Sequence, residues 1–342
     1  MIIRLDRPPA RWGASSPRSQ AMRPSRGSSD IRTSSAAPSD AVVETLEHRR
    51  FAEFCDACKR YRYIGLCYGT PGVGKTVSAR HYANWDRMQD LWNHPGHDAA
   101  AVEEIAASST VFYTAPVVGA PSVIERQIVK LRDRVHSAAI DVRRQVEIAE
   151  IRRLLSILDD LRDRLKNPDG YRSKETEDAE DAFLKQRHRT MGLEKVVPDP
   201  TALLIIDEAD RLKIAGLEQT RSIFDQGGVG MILIGMPGIE KRMARYPHLY
   251  SRIGFVHEFR PLSASEIRQL LVRHWTPPGV KLPGDAIESA AAASIIRITG
   301  GNFRLLNRLL TQVERILEIN ALPTVTKEVV EAARESLVIG QA

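Results

Sequence analysis

Gly69-Thr70-Pro71-Gly72-Val73-Gly74-Lys75-Thr76 matches the pattern G-x-x-x-x-G-K-[ST]. Its flanks decide what the match means. Residues 61–68 (YRYIGLCY) are rich in aromatic and β-branched types and predict a strand, and residues 77–83 (VSARHYA) continue as a helix. Strand, glycine turn and helix are the setting in which this pattern grips phosphate. Glycines let the backbone curl with its N–H groups inward, where a Cβ would block a phosphate. The helix that follows adds the positive end of its dipole. Lys75 is expected to reach the β- and γ-phosphates and the Thr76 hydroxyl to ligate Mg²⁺. The expected cradle is Gly69, Thr70, Pro71, Gly72, Val73, Gly74, Lys75, Thr76 and Val77.

A second element completes the pattern. Leu203-Leu204-Ile205-Ile206 is a continuous apolar run, as expected of a strand buried on both faces of a parallel sheet. Asp207-Glu208 follows it at once, where ligand groups collect at the carboxyl ends of such strands. Asp207 is placed to hold Mg²⁺ and Glu208 to polarise an attacking water. With the glycine loop, this pair points to ATP as the cofactor and to its hydrolysis as the chemistry.

The rest of the chain sets the frame. At 342 residues, with 43% hydrophobic and 27% charged residues, it is long enough for about two domains and ordinary for a globular protein. No apolar run approaches the ~18 residues of a membrane helix, and the first residues lack the apolar core of a signal peptide. Three cysteines, an odd and small number, predict a reducing, cytoplasmic setting. Cys55 and Cys58 form C-x-x-C without a second pair at zinc spacing, so helix packing is their expected role. The net charge of +6 permits contact with nucleic acid.

Residues 1–41 hold seven Arg against three Asp among Ser and Pro, and read as a disordered basic arm. It is either a DNA-phosphate contact, or a solvated tail or extra residues from an upstream start. A helix is expected over 42–59, and further strands at 110–114, 203–206, 230–234 and 255–259. Another helix is expected over 217–224. From Ser122, apolar residues recur at Ile124, Ile128, Leu131, Val135, Ala138, Val142, Val146 and Ala149, then resume with a phase shift at Leu154, Leu158, Leu161 and Leu165. That pattern is one long helix with a stutter, or two helices, and Asn167-Pro168-Asp169-Gly170 ends it. Residues 171–195 are expected to form a charged loop with some helix. Lys75 and Asp207 stand 132 positions apart, more than two β–α units need, so residues 122–195 form an insertion. It serves a partner, a subunit contact or only as scaffold. After Pro261 the chain is expected to be helical, over 263–275, 284–299, 302–320 and 325–338, with Ser263 and Glu266 as a capping box. The expectation is an α/β nucleotide-binding domain over 42–260 with a parallel sheet, followed by a helical lid over 261–342.

GTPGVGKT, LLIIDEAD, YSRIGF and a helical tail with GGNFR together resemble AAA+ P-loop ATPases. Within them, the chain resembles the ATP-binding transposition proteins of the TniB, TnsC, IstB and phage Mu B type. That likeness rests on GVGKT before a Ser-Ala helix, IIDEADRLK, and a strand ending IG-x-P before RYPHLYSRIG. It implies that Arg252 is an arginine finger reaching a neighbouring subunit's γ-phosphate, with Arg242 and Arg245 as rivals. It implies that Arg304 is the sensor 2 arginine at the start of a lid helix, with Arg308 as rival. It implies a homo-oligomer that binds double-stranded DNA mainly through phosphate, and a transposase as client. The basic candidates for that DNA contact are Lys59, Arg60, Arg62, Arg211 and Lys213.

One position departs from the family pattern. Ile234-Gly235-Met236-Pro237 puts methionine where a polar sensor 1 residue is usual, and Met cannot orient water as Asn can. Slow hydrolysis is therefore expected. Two other readings stay open: a replication initiator or helicase loader of the same superfamily, or a nucleotide-gated adaptor that scarcely hydrolyses ATP.

Overall fold

The computed structural model describes residues 44–93, 99–164, 174–273, 275 and 290–337. The basic arm expected over 1–41 and the Asn167–Gly170 turn lie outside these residues. The chain divides into two compact units: Leu46–Leu262 with Gly300–Arg304, and Ser263–Thr299 with Leu305 onward. Five residues expected within the lid, Gly300–Arg304, thus group with the nucleotide-binding unit.

In the first unit, α1 (Leu46–Tyr61) leads into β1 (Ile64–Tyr68), which is three residues shorter at its start than its composition predicts. Tyr61 still belongs to the helix, and Arg62 turns the chain at φ 54°. Aromatic residues there register as strand formers, yet Tyr61 and Tyr63 sit at the surface rather than in the sheet. Cys58 packs from α1 onto β1, where a Cβ on Gly65 would fall 2.3 Å from its sulfur. Cys55, Cys58 and Cys67 are all buried and free, and burial pushes the Cys58 thiol up to about 12. Among the described residues no cluster of His, Cys, Asp or Glu is arranged to hold a metal. Cys55 and Cys58 both pack from α1 into the core.

Beyond the glycine loop come α2 (Lys75–Tyr82), α3 (Trp85–Asn93), α4 (Ala99–Ala107) and β2 (Thr110–Thr114). The span expected as an insertion holds α5 (Pro121–Arg164), α6 (Lys174–Met191) and α7 (Leu193–Val196). Then come β3 (Leu203–Asp207), a 3-10 turn over Ala209–Arg211, α8 (Ile214–Asp225), β4 (Gly230–Gly235), α9 (Ile239–Met243), α10 (Pro247–Tyr250) and β5 (Ile253–Glu258). The strands form one parallel sheet in the order β2-β3-β4-β1-β5. The strands β3 and β4 are buried at every residue, as their unbroken apolar runs predict. The outer strand β5 alternates half-buried and exposed residues.

Of the two arrangements open for the stripe from Ser122, the chain takes the single helix, one unbroken element of 44 residues. The span 171–195, expected as a charged loop with some helix, is corrected: it is largely the 18-residue α6. The apolar stripe also changes role along α5. Ile124, Ile128, Val135 and Ala138 are buried, but Val146 is 56% exposed and the neighbouring Glu147 is buried instead. Glu147 takes a hydrogen bond from Gln186 of α6 and an ion pair from Arg143 at 2.8 Å. The first half of α5 belongs to the sheet's core, and the second half pairs with a charged helix. Apolar spacing alone does not register that change of partner.

The second unit contains α11 (Ala264–Arg273), α12 (Ala290–Thr299), most of α13 (Phe303–Ile319) and α14 (Lys327–Glu335). The capping box forms: Ser263 N–H donates to Glu266 Oε2 at 2.9 Å and Glu266 N–H to Ser263 Oγ at 3.3 Å. Trp275 is buried, and its indole N–H donates to Glu314 of α13 at 2.7 Å. No described helix is long and apolar enough to cross a membrane.

Candidate functional site

The site lies at the carboxyl ends of β1 and β3. After Tyr68 the chain bends through Gly72 at φ 81° and Gly74 at φ 110°, values that L side chains seldom adopt, and α2 starts at Lys75. Lys75 is buried. Its ammonium donates to the carbonyls of Gly69 at 2.5 Å and Thr70 at 3.0 Å. Burial holds it below its usual value, against the pull of nearby Cys67, Asp207, Glu208 and Asp210. An ammonium whose bonds run only to neutral carbonyls has charge to offer an anion.

Asp207 ends β3 and is nearly inaccessible. The Thr76 hydroxyl donates to its Oδ2 at 2.7 Å, and the Glu208 N–H donates to its Oδ1 at 2.9 Å. This is the contact that joins the two sequence patterns across 131 positions. Burial pushes the Asp207 carboxyl above its ordinary range, with the Glu208 charge adding to the rise, while the two hydrogen bonds and Lys75 oppose it. A hydroxyl and a carboxylate side by side are the hard oxygen donors that Mg²⁺ takes. Thr76 and Asp207 therefore fit that ion.

Glu208 stands one residue on, at φ 57°. A non-glycine residue in that region is strained, and strain of this kind gathers at functional sites. Its Oε1 lies 3.6 Å from Arg211 Nη2, and Arg211 also donates to the Ala115 carbonyl at 3.4 Å.

Arg304 sits against the glycine loop. Its backbone N–H donates to the Gly72 carbonyl at 2.9 Å, and a Cβ on Gly72 would fall 3.0 Å from the Arg304 Cβ. The rival Arg308 belongs to the other unit. Beside Arg304, Asn302 donates from Nδ2 to the Pro71 carbonyl at 2.8 Å. Asn302 lies inside GGNFR, yet its role has no signature that spacing alone reveals.

Asp210 is the other residue the sequence reading passes over. Its Oδ1 accepts the Met236 N–H at 3.2 Å. A carboxylate thus lies beside Met236, carried there by the turn after β3.

Arg252 is not brought to this site. It precedes β5, level with the start of β1, and its carbonyl accepts the Ile64 N–H at 3.1 Å. The strand β1 covers Ile64–Tyr68, about 13 Å of extended chain, before the glycine loop begins. The Arg252 side chain is bidentate to Asp225, with Nε–Oδ1 2.5 Å and Nη2–Oδ2 2.9 Å, and also donates to the His248 carbonyl. Of its rivals, Arg242 is spent inside the chain on the carbonyls of Asp210 and Leu212, while Arg245 is exposed.

A five-stranded parallel sheet with this loop and this carboxylate defines a P-loop ATP-binding protein of the AAA type. The chain belongs to the AAA domain family, whose model matches residues 58–243. A Staphylococcus aureus protein described as a potential ATP-binding protein is 41% identical over 302 residues, spanning 87% of this chain and 97% of the relative. Among solved structures, Cdc6p of Pyrobaculum aerophilum is 14% identical with a TM-score of 0.50, covering 90% of this chain and 71% of its own. The RuvB Holliday junction branch migration motor of Thermotoga maritima is 16% identical with a TM-score of 0.46, covering 87% and 71%. The Pyrobaculum likeness speaks for the fold alone.

Proposed function

We propose that this ATP-binding protein is an ATP-dependent regulator of DNA transposition. ATP drives assembly of subunits on double-stranded DNA, the assembly recruits or activates a transposase, and hydrolysis takes it apart. The observation that carries the switch is the separation of Arg252 from its own chain's glycine loop. An arginine at the opposite end of the sheet would act on a second copy's site, and turnover would then depend on assembly. The transposition client rests on the residue likeness in GVGKT, IIDEADRLK and RYPHLYSRIG.

Within the site, Lys75 and the loop N–H groups neutralise phosphate, and Thr76 with Asp207 would hold Mg²⁺. Bound there, the ion would neutralise charge developing between the β- and γ-phosphates. Glu208 orients and polarises the attacking water. Arg304 contacts phosphate beside Gly72 and links nucleotide state to the helix it begins. Arg252, donated by a second copy, stabilises the transition-state charge.

ATP turnover with and without double-stranded DNA is the direct test. DNA-stimulated turnover that Glu208→Gln abolishes is the expected outcome. Absence of both turnover and ATP-dependent DNA retention would sink the proposal. Met236 favours a second reading, a nucleotide-gated adaptor acting by protein contact. That reading expects tight ATP binding with negligible turnover under every condition.

A further inference from the structure

Lys59-Arg60-Tyr61-Arg62-Tyr63 joins α1 to β1 and alternates cations with aromatic rings. Residues 60–63 are all exposed, Tyr61 by 56% and Tyr63 by 47%. The two rings are nevertheless anchored. Both pack on Phe255 of β5, with centroids 6.0 and 5.8 Å away, and Tyr63 covers Gly254, where a Cβ would fall 2.5 Å from its ring. The Arg60 guanidinium lies 5.5 Å from the Tyr61 ring centroid. Arg62 holds the left-handed conformation that glycine usually fills just past a helix end.

No carboxylate pairs with Arg60 or Arg62 among the described residues. By contrast, Arg80, Arg211, Arg221 and Arg252 in the same unit all have acidic partners. The helix dipole accounts for cations in the last turn of α1, namely Lys59 and Arg60. It accounts neither for Arg62, which lies past the helix end, nor for two exposed tyrosines held in fixed positions. Burying this turn against a second copy of the chain would desolvate two guanidinia that have no acid beside them. Phosphate oxygens satisfy both where they stand.

We propose that Arg60, Tyr61, Arg62 and Tyr63 clamp the sugar–phosphate backbone of double-stranded DNA. The guanidinia take phosphate oxygens, and the tyrosine hydroxyls donate to the same backbone. Contacts of this kind fix position and carry no sequence information. The clamp rests on the DNA-binding reading above and adds to it a specific surface, on the opposite end of the sheet from the nucleotide site.

The test uses the full chain with ATP and Mg²⁺, a labelled duplex of mixed sequence, and a salt series from about 50 to 200 mM. Replacing both arginines with glutamine should reduce the slope of log affinity against log salt by about 1.8, two phosphate contacts at ~0.9 each. The wild-type chain should then lose about tenfold more affinity than the variant across that range. Tyr61→Phe with Tyr63→Phe keeps the ring packing and should weaken binding without changing the slope. ATP binding should be unchanged in both variants. Absence of duplex binding by the wild-type chain overturns the DNA-binding reading and the clamp with it. Wild-type binding with an unchanged slope in the arginine variant overturns the clamp alone. Loss of ATP-dependent self-association without DNA, read by sedimentation, makes the turn a subunit contact and also overturns it.

Discussion

At the carboxyl ends of β1 and β3, Lys75, Thr76 and Asp207 are bonded within the chain, and Lys75 and Asp207 are buried. At the amino ends of β1 and β5, Arg60 and Arg62 are exposed with no carboxylate partner among the described residues, and Arg252 is held at the surface by Asp225. The first set is assembled by one chain. The second lies at the surface, where the proposals above give it partners in DNA and in a second copy. Residues at the two ends should therefore fail in different ways when changed.

The largest effect is expected at Lys75. Lys75→Ala should abolish nucleotide binding, read by titration of a fluorescent ATP analogue. An alanine variant that still binds with wild-type affinity would mean that the carboxyl end is not a phosphate site, and the contrast between the ends would collapse.

Arg252→Ala comes next. Turnover should fall about 10³-fold or more, as for arginine fingers generally, with ATP binding largely intact. A mixing experiment sharpens the point. Chains carrying Lys75→Ala have a sound Arg252, and chains carrying Arg252→Ala have a sound glycine loop. Mixed, they should recover part of the lost turnover. Recovery requires the two ends of different molecules to meet, and turnover that survives Arg252→Ala excludes this arginine from the role. Glu208→Gln should cost about 10²–10⁴ in turnover, again without loss of binding. Mixing with Lys75→Ala chains should not rescue it, because Glu208 acts on its own chain's nucleotide.

This contrast also marks what the sequence makes legible. The glycine loop, Lys75, Thr76, Asp207 and the buried β3 follow from short patterns whose chemistry is local. The Thr76–Asp207 bond joins two such patterns, so each half announces itself. Asp210 and Asn302 have no such signature. Each acts by reaching a backbone group, Met236 N–H or the Pro71 carbonyl, that only the fold brings near. Tyr61 and Tyr63 mislead for a related reason. Aromatic residues raise strand propensity wherever they sit, and composition does not distinguish a ring in a sheet from a ring displayed at its edge. The second half of α5 misleads likewise, because Glu147 is buried by α6 at a position where the stripe points elsewhere.

The smallest expected effect is thermodynamic and concerns Asp207. Its carboxyl is pushed above the ordinary range by burial. The folded chain therefore holds this proton more tightly than the unfolded chain does. Asp207 contributes least to stability at neutral pH, where it is charged, and the cost disappears as pH falls through its raised value. Asp207→Asn removes the buried charge. Without ligands, the variant should melt a few degrees above the wild-type chain at pH 7. The gap should close on acidification, once both side chains are neutral. With ATP and Mg²⁺ the order should reverse, because only the carboxylate gains a metal and ligand binding stabilises the folded state by mass action. A ligand-free variant that melts below the wild type at pH 7 would show the hydrogen bonds from Thr76 and the Glu208 N–H to outweigh burial. Asp207 would then be a structural strut, and the carboxyl end would lose the property that sets it apart: a charge buried at a cost that a cation can offset.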